Sequence, residues 1–164
     1  MLKKSTVPVK YGLAIATGLV SYFLILSLLD LHVRPIFSLV NGLIMAYGIY
    51  QAIKHYKLEK GPAFEYEKGF FAGMFTGFNA TLLFTGFFAI YATHLDPDFL
   101  PRLISSWMES YHTGISLVVF VVAIMGFATT LVLVLSYMQL FKESWNVKRQ
   151  KRPIRMQKPI IENA

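Results

Sequence analysis

Residues 68–91 read KGFFAGMFTGFNATLLFTGFFAIY, and after Lys68 this stretch contains no Asp, Glu, His, Arg or further Lys. An α-helix rises about 1.5 Å per residue, so about 20 such residues cross a hydrocarbon core of about 30 Å. Gly69, Gly73 and Gly77, which we call the glycine stripe, lie four residues apart and therefore on one face of the helix. Aligned glycines let two helix backbones approach closely. The stretch predicts a membrane-spanning helix that packs closely against a neighbour.

The composition extends this prediction to the whole chain. Hydrophobic residues make up 55% of the 164 residues and charged residues only 15%, an apolar excess that a soluble domain of this size does not need. Polar breaks divide the chain into a basic arm (1–10), a transmembrane domain (11–141) with spans at about 11–29, 35–53, 69–92 and 115–140, and a basic tail (142–164). We therefore expect an all-α integral membrane protein whose four transmembrane helices form two hairpins. The turn at residues 30–34 is too short to carry the chain around a third helix.

The distribution of positive charge predicts the orientation. Of the 16 Lys and Arg residues, all but Arg34 and Arg102 lie in the arm, in residues 54–68 or in the tail. With four spans these three segments share one side of the membrane, and the positive-inside rule makes that side cytoplasmic. We therefore expect both termini to be cytoplasmic.

The connection at residues 93–114 contains a helical pattern of its own. Leu103, Ile104, Trp107, Met108 and Tyr111 recur at helical spacing. Trp and Tyr rings suit the headgroup level, so the pattern predicts a short interfacial helix in which Trp107 and Tyr111 contact lipid or a partner. A helix that caps the ends of the bundle is the alternative.

Small residues also recur in the first two spans. They are Ala14, Gly18, Ser38, Gly42 and Ala46. We expect the glycine stripe to pack against one of these two spans within the chain, and Gly42 to take part in helix packing. Homodimerisation through the stripe is the alternative, because such motifs serve both purposes.

Two asparagines lie inside predicted spans. An unpaired amide in the hydrocarbon region costs on the order of several kcal/mol, so Asn41 and Asn79 each need a partner. A hydrogen bond between helices is the expected role, and a contact to a substrate is the alternative.

No recognisable catalytic, cofactor-binding or metal-binding motif is present, and we predict a protein that is not an enzyme and has no cofactor. No Asp, Glu, Lys, Arg or His falls in the centre of a span, which weakens a transporter interpretation. His94, Asp96, Asp98, Glu109 and His112 cluster in the connection at residues 93–114, but their spacing matches no defined metal site. We expect solvated loop residues there.

The tail combines an aromatic residue with a run of positive charges. The residues expected to contact lipid or a partner are Trp145, Lys148, Arg149, Lys151, Arg152 and Arg155. Each basic residue near an anionic leaflet contributes about 1 kcal/mol, so anionic headgroups are the expected partner. A protein partner is the alternative; nucleic acid is not favoured, because the tail has no aromatic interleaving and no RNA-binding motif.

Short motifs carry a family resemblance over roughly residues 11–140. Residues 52–57 (AIKHYK), Phe64 followed by Lys68 and Gly69, and residues 96–99 (DPDF) resemble the pattern of a bacterial four-helix membrane family, domain of unknown function 4199. The basic tail departs from that pattern. The resemblance implies four spans and a bacterial inner membrane, and it carries over no catalytic residue.

These observations favour a non-enzymatic accessory or scaffold subunit that packs against a larger inner-membrane complex. A small homo-oligomeric transporter or channel, with Asn41, Asn79 and the glycine stripe lining the path, is the alternative. A membrane enzyme acting on lipid is a third class, and only His94, His112 and the nearby aspartates could supply its titratable groups.

Overall fold

The structure is a computed structural model that describes residues 5–29, 31, 35–99, 101 and 114–142. In these residues the regular elements are helical. The four long helices are α1 (Val7–Leu28), α2 (Ser38–Lys60), α3 (Tyr66–Ile90) and α4 (Ile115–Phe141). Short 3₁₀ turns at Pro35–Phe37 and Gly61–Ala63 precede α2 and α3, and a π-helical turn at Tyr91–Leu95 continues α3.

Contacts between side chains show how α1, α2 and α3 run relative to one another. Along α1 and α2, Tyr11 meets His55 and Tyr22 meets Phe37, so the residue numbers run in opposite directions and the two helices are antiparallel. Along α1 and α3, Gly12 meets Asn79 and Phe23 meets Phe88, so these two helices are parallel. Helix α3 contacts each of the other three helices and lies at the centre of the bundle.

Three of the four helices are long and apolar enough to cross a membrane. They are α1, α3 with its π-helical extension, and α4. Large apolar side chains on their outer surfaces are exposed, among them Leu13, Phe75 and Val132, as expected of surfaces that face lipid. Helix α2 differs from the expectation for the second span. Its 23 residues are long enough to cross a membrane, but its composition is more polar than that of the other three helices.

The break between α2 and α3 lies at Gly61 and Pro62. Helix α2 ends at Lys60, and Gly61 follows with φ of 50°, a left-handed conformation that a residue with a side chain rarely adopts. Most of residues 54–67, predicted as a polar connection, are helical, because α2 continues through Lys60 and α3 begins at Tyr66. We call this end of the bundle the Gly61 end and the opposite one the Tyr91 end.

Two apolar clusters fill the bundle. The larger cluster runs along its centre and includes Ile15, Ile49, Ile53, Val134 and Met138. The second is aromatic and lies at the Tyr91 end, where the ring of Phe23 on α1 meets five other rings. These belong to Phe84, Phe87, Phe88, Tyr91 and Phe99. The Ser27 and Tyr91 hydroxyls hydrogen-bond beside this cluster, so α1 and α3 are joined by both apolar and polar contacts.

Candidate functional site: the glycine-lined helix interface

The glycine stripe lies against α4. A Cβ atom placed on Gly73 would lie 3.1 Å from Val134 Cγ2, and one on Gly69 would lie 3.4 Å from Met138 Cε. A Cβ on Gly77 would lie 2.5 Å from Thr130 Oγ1, closer than non-bonded atoms approach. As the stripe numbers rise from 69 to 77, the α4 numbers fall from 138 to 130, so α3 and α4 are antiparallel.

Helix α4 contributes a glycine to the same interface. A Cβ on Gly126 would lie 2.5 Å from Thr81 Cγ2 on α3, one further turn along the contact. The Thr130 hydroxyl donates to the Gly126 carbonyl at 2.9 Å, which keeps that hydroxyl satisfied within its own helix. A glycine of α3 therefore faces a threonine of α4, and a glycine of α4 faces a threonine of α3. This arrangement brings the two backbones close together.

These neighbours agree with the expectation only in part. The sequence predicted that the stripe packs against the first or second span, and at Gly73 it meets the second, because Ile53 Cδ1 on α2 lies 3.0 Å from a Cβ there. The contact of Gly77 with Thr130 on the fourth span was not expected. Helix α1 uses a different face of α3, where a Cβ on Gly12 would lie 3.0 Å from both Asn79 Cβ and the Thr76 carbonyl oxygen. Gly12 was not among the residues proposed for packing. Gly12 lies four residues before Ala16, a spacing that puts two small residues on one face of a helix, and this spacing could have identified it.

The remaining residues predicted for helix packing have less contact. A Cβ on Gly42 would meet no atom within 4 Å, so the structure places Gly42 in open space rather than against a helix. Asn79 lies against Gly12 on α1. The Oδ1 atom of Asn41 is buried without a hydrogen-bond partner among the described residues, so the expected amide hydrogen bond is not formed through that oxygen.

Two buried threonine hydroxyls on α3 were not anticipated. Thr81 and Thr85 are buried, and their Oγ1 atoms have no hydrogen-bond partner in the described part of the chain. Thr81 fills the space left by Gly126, with its Oγ1 only 2.9 Å from where a Cβ would stand. The interface is therefore occupied by side chains at this level and leaves no room for a solute between Thr81 and Gly126.

The predicted loop and tail positions fall mostly outside the described residues. His94 is exposed and its Nδ1 is hydrogen-bonded to the Thr93 hydroxyl. No group of three potential metal ligands occurs within the described ranges. The predicted interfacial helix and the tail contacts lie outside them. These positions are Trp107, Glu109, Tyr111, His112, Trp145, Lys148, Arg149, Lys151, Arg152 and Arg155.

Comparison with known proteins identifies a family. The family model described as "Protein of unknown function (DUF4199)" matches residues 10–117, more than half of the chain. The resemblance drawn from the short motifs is thereby confirmed, although the match ends near the start of α4 and not at residue 140. No curated protein and no solved structure matches.

Proposed function

The chain belongs to the DUF4199 family of proteins of unknown function, and from this premise we propose that it is a non-enzymatic integral membrane protein that serves as an accessory or scaffold subunit of a larger complex. It crosses the bacterial inner membrane four times, with both termini in the cytoplasm. The excess of Lys and Arg at the Gly61 end and in the tail supports this orientation.

The observation that carries the subunit role is the outward face of α2. Leu39, Leu43 and Tyr47 lie at helical spacing on this face and are 70%, 68% and 68% exposed. Gln51, one turn further, donates from Nε2 to the Tyr47 hydroxyl at 2.9 Å. The face therefore presents large apolar side chains together with a polar pair that is open to the surroundings.

Lipid is a poor partner for such a face. Helix α2 is the most polar of the long helices in the described ranges, and it lies beside helices that are apolar enough to cross a membrane. Polar side chains inside a bilayer are stabilised by facing protein, where amide and hydroxyl groups find hydrogen-bond partners. A second membrane protein against Leu39, Leu43 and Tyr47 would supply those partners and cover the exposed apolar side chains.

The experiment uses the absence of cysteine, because a single introduced cysteine is then the only thiol in the chain. Leu43→Cys and Tyr47→Cys are labelled with benzophenone maleimide in native membranes, illuminated, and analysed by mass spectrometry. Val132→Cys on α4 is the matched control, since Val132 is also exposed, at 60%, but belongs to the most apolar span.

We expect one discrete protein adduct from both α2 positions and none from Val132→Cys. A Leu43→Trp variant should then lower the yield of the same protein in a mild-detergent purification. Adducts of twice the mass of the chain would favour the homo-oligomeric alternative over the subunit role. Equal adducts from α2 and α4, or lipid adducts alone, would contradict a protein partner on α2.

A further inference from the structure

At the Gly61 end, α2 carries lysines whose ammonium groups lie over aromatic rings. Lys54 Nζ is 5.9 Å from the centroid of the Tyr50 ring. Lys57 Nζ is 5.5 Å from the Phe64 centroid and 5.6 Å from the Phe141 centroid. Attraction between a cation and a ring face holds each side chain in a restricted region instead of leaving it free in solvent.

The rings beneath these two lysines form one surface. Tyr50 on α2 stacks on Phe141 at the end of α4, with centroids 5.9 Å apart and ring planes at 28°. Tyr137, one turn before Phe141, packs edge-on against Tyr50 at 5.5 Å. Lys54 therefore lies over one ring, and Lys57 over the other, of a stacked pair that joins α2 to α4.

The positive charge at this surface is not neutralised by the described part of the chain. Glu59 accepts a hydrogen bond from the Ser5 hydroxyl at 2.9 Å, and Glu65 pairs with Lys68 at 2.7 Å. No described carboxylate lies within ion-pair distance of Lys54 or Lys57. Lys142, exposed directly after Phe141, adds a third ammonium group at the same end of α4.

We propose that this surface binds the phosphate of an acidic phospholipid. Lys54 and Lys57 hold the phosphate, Lys142 adds to the local potential, and the glycerol and first methylenes lie along Tyr50 and Tyr137 between α2 and α4. Lysines at the headgroup level with apolar rings immediately below match the order of phosphate and acyl chain in a lipid. A free phosphate has no acyl chain and would make no use of the rings. The site does not depend on the subunit role proposed above.

The full-length chain in dodecyl maltoside tests the proposal by native mass spectrometry with added dioleoyl phosphatidylglycerol. Dioleoyl phosphatidylcholine and inorganic phosphate are the comparison ligands. The test variant is Lys54→Gln/Lys57→Gln, and the control is Lys10→Gln/Lys68→Gln, which removes the same charge from the same end of the bundle and keeps the whole tail. Lys54→Arg/Lys57→Arg retains the charge, and Phe141→Leu removes one ring without changing the charge.

We expect phosphatidylglycerol to bind in preference to phosphatidylcholine, and its affinity to fall roughly tenfold to thirtyfold in the test variant. The control and the Arg variant should stay within about twofold of the parent, and Phe141→Leu should lose several-fold. Equal losses in test and control variants would overturn the proposal, because binding would then report only net charge. Full competition by millimolar inorganic phosphate would also overturn it. So would an unchanged affinity for phosphatidylglycerol in a test variant that has native helicity.

Discussion

Replacing Gly77 with alanine tests the close contact between α3 and α4. The new Cβ would lie 2.5 Å from Thr130 Oγ1 and 2.9 Å from Thr130 Cβ. Rotating the Thr130 side chain moves Oγ1 and Cγ2, but Cβ is attached to the α4 backbone and stays in place. Thr130 is 1% exposed, so the displaced atoms also have little space to enter. The two helices must therefore separate locally to admit one methyl group.

Gly86 on the same helix is the matched control. A Cβ there would meet no atom within 4 Å, so Gly86→Ala changes only the backbone preference. Alanine is favoured over glycine in a helix by about 0.5–1 kcal/mol, which should raise the free energy of unfolding. At Gly77 the same gain is opposed by an overpacking cost of about 1–3 kcal/mol. Gly77→Ala should therefore be less stable than Gly86→Ala by about 1–3 kcal/mol.

The measurement is reversible unfolding in mixed detergent micelles, followed by circular dichroism and by a fluorophore on a single introduced cysteine. Thr130→Ala should relieve part of the clash, so the Gly77→Ala/Thr130→Ala pair should be about 1 kcal/mol more stable than the sum of the single changes implies. If Gly77→Ala stabilised the protein as much as Gly86→Ala, the close approach of α3 and α4 at Thr130 would be wrong.

Three further changes probe other parts of the bundle. Gly73→Leu should disrupt assembly, because Ile53 and Val134 already lie within 3.1 Å of a Cβ there; normal yield and a native elution volume in size-exclusion chromatography would contradict this packing. Phe23→Ala should lower the free energy of unfolding by about 3–5 kcal/mol, because it removes the ring that joins the aromatic cluster at the Tyr91 end. Phe75→Ala is the control at an exposed position and should lower it by about 0.5 kcal/mol or less. Asn41→Leu should raise the unfolding free energy by up to about 1–3 kcal/mol, since it removes a buried oxygen without a partner; a loss of stability would show that Asn41 forms a hydrogen bond in the membrane.

The helices themselves were predictable because their signals are local. A run of apolar residues long enough to cross a bilayer, and a Gly-Pro pair that interrupts it, depend only on neighbours in the sequence. The helix predicted at about 69–92 is accordingly present as α3 (Tyr66–Ile90), which begins three residues earlier. The composition of α2 was harder to judge, because its apolar half merges with a polar half inside one continuous helix of 23 residues.

That Gly69, Gly73 and Gly77 share one face of a helix follows from their spacing, since helical geometry alone aligns them. The contacts of this face with Thr130 and its neighbours on α4, and of Gly12 with a different face, emerge from the packing of the folded bundle. Several of the helices carry small residues at similar spacing, so local patterns permit several pairings. The choice among them depends on how side chains far apart in the sequence fill one another's gaps across the whole bundle.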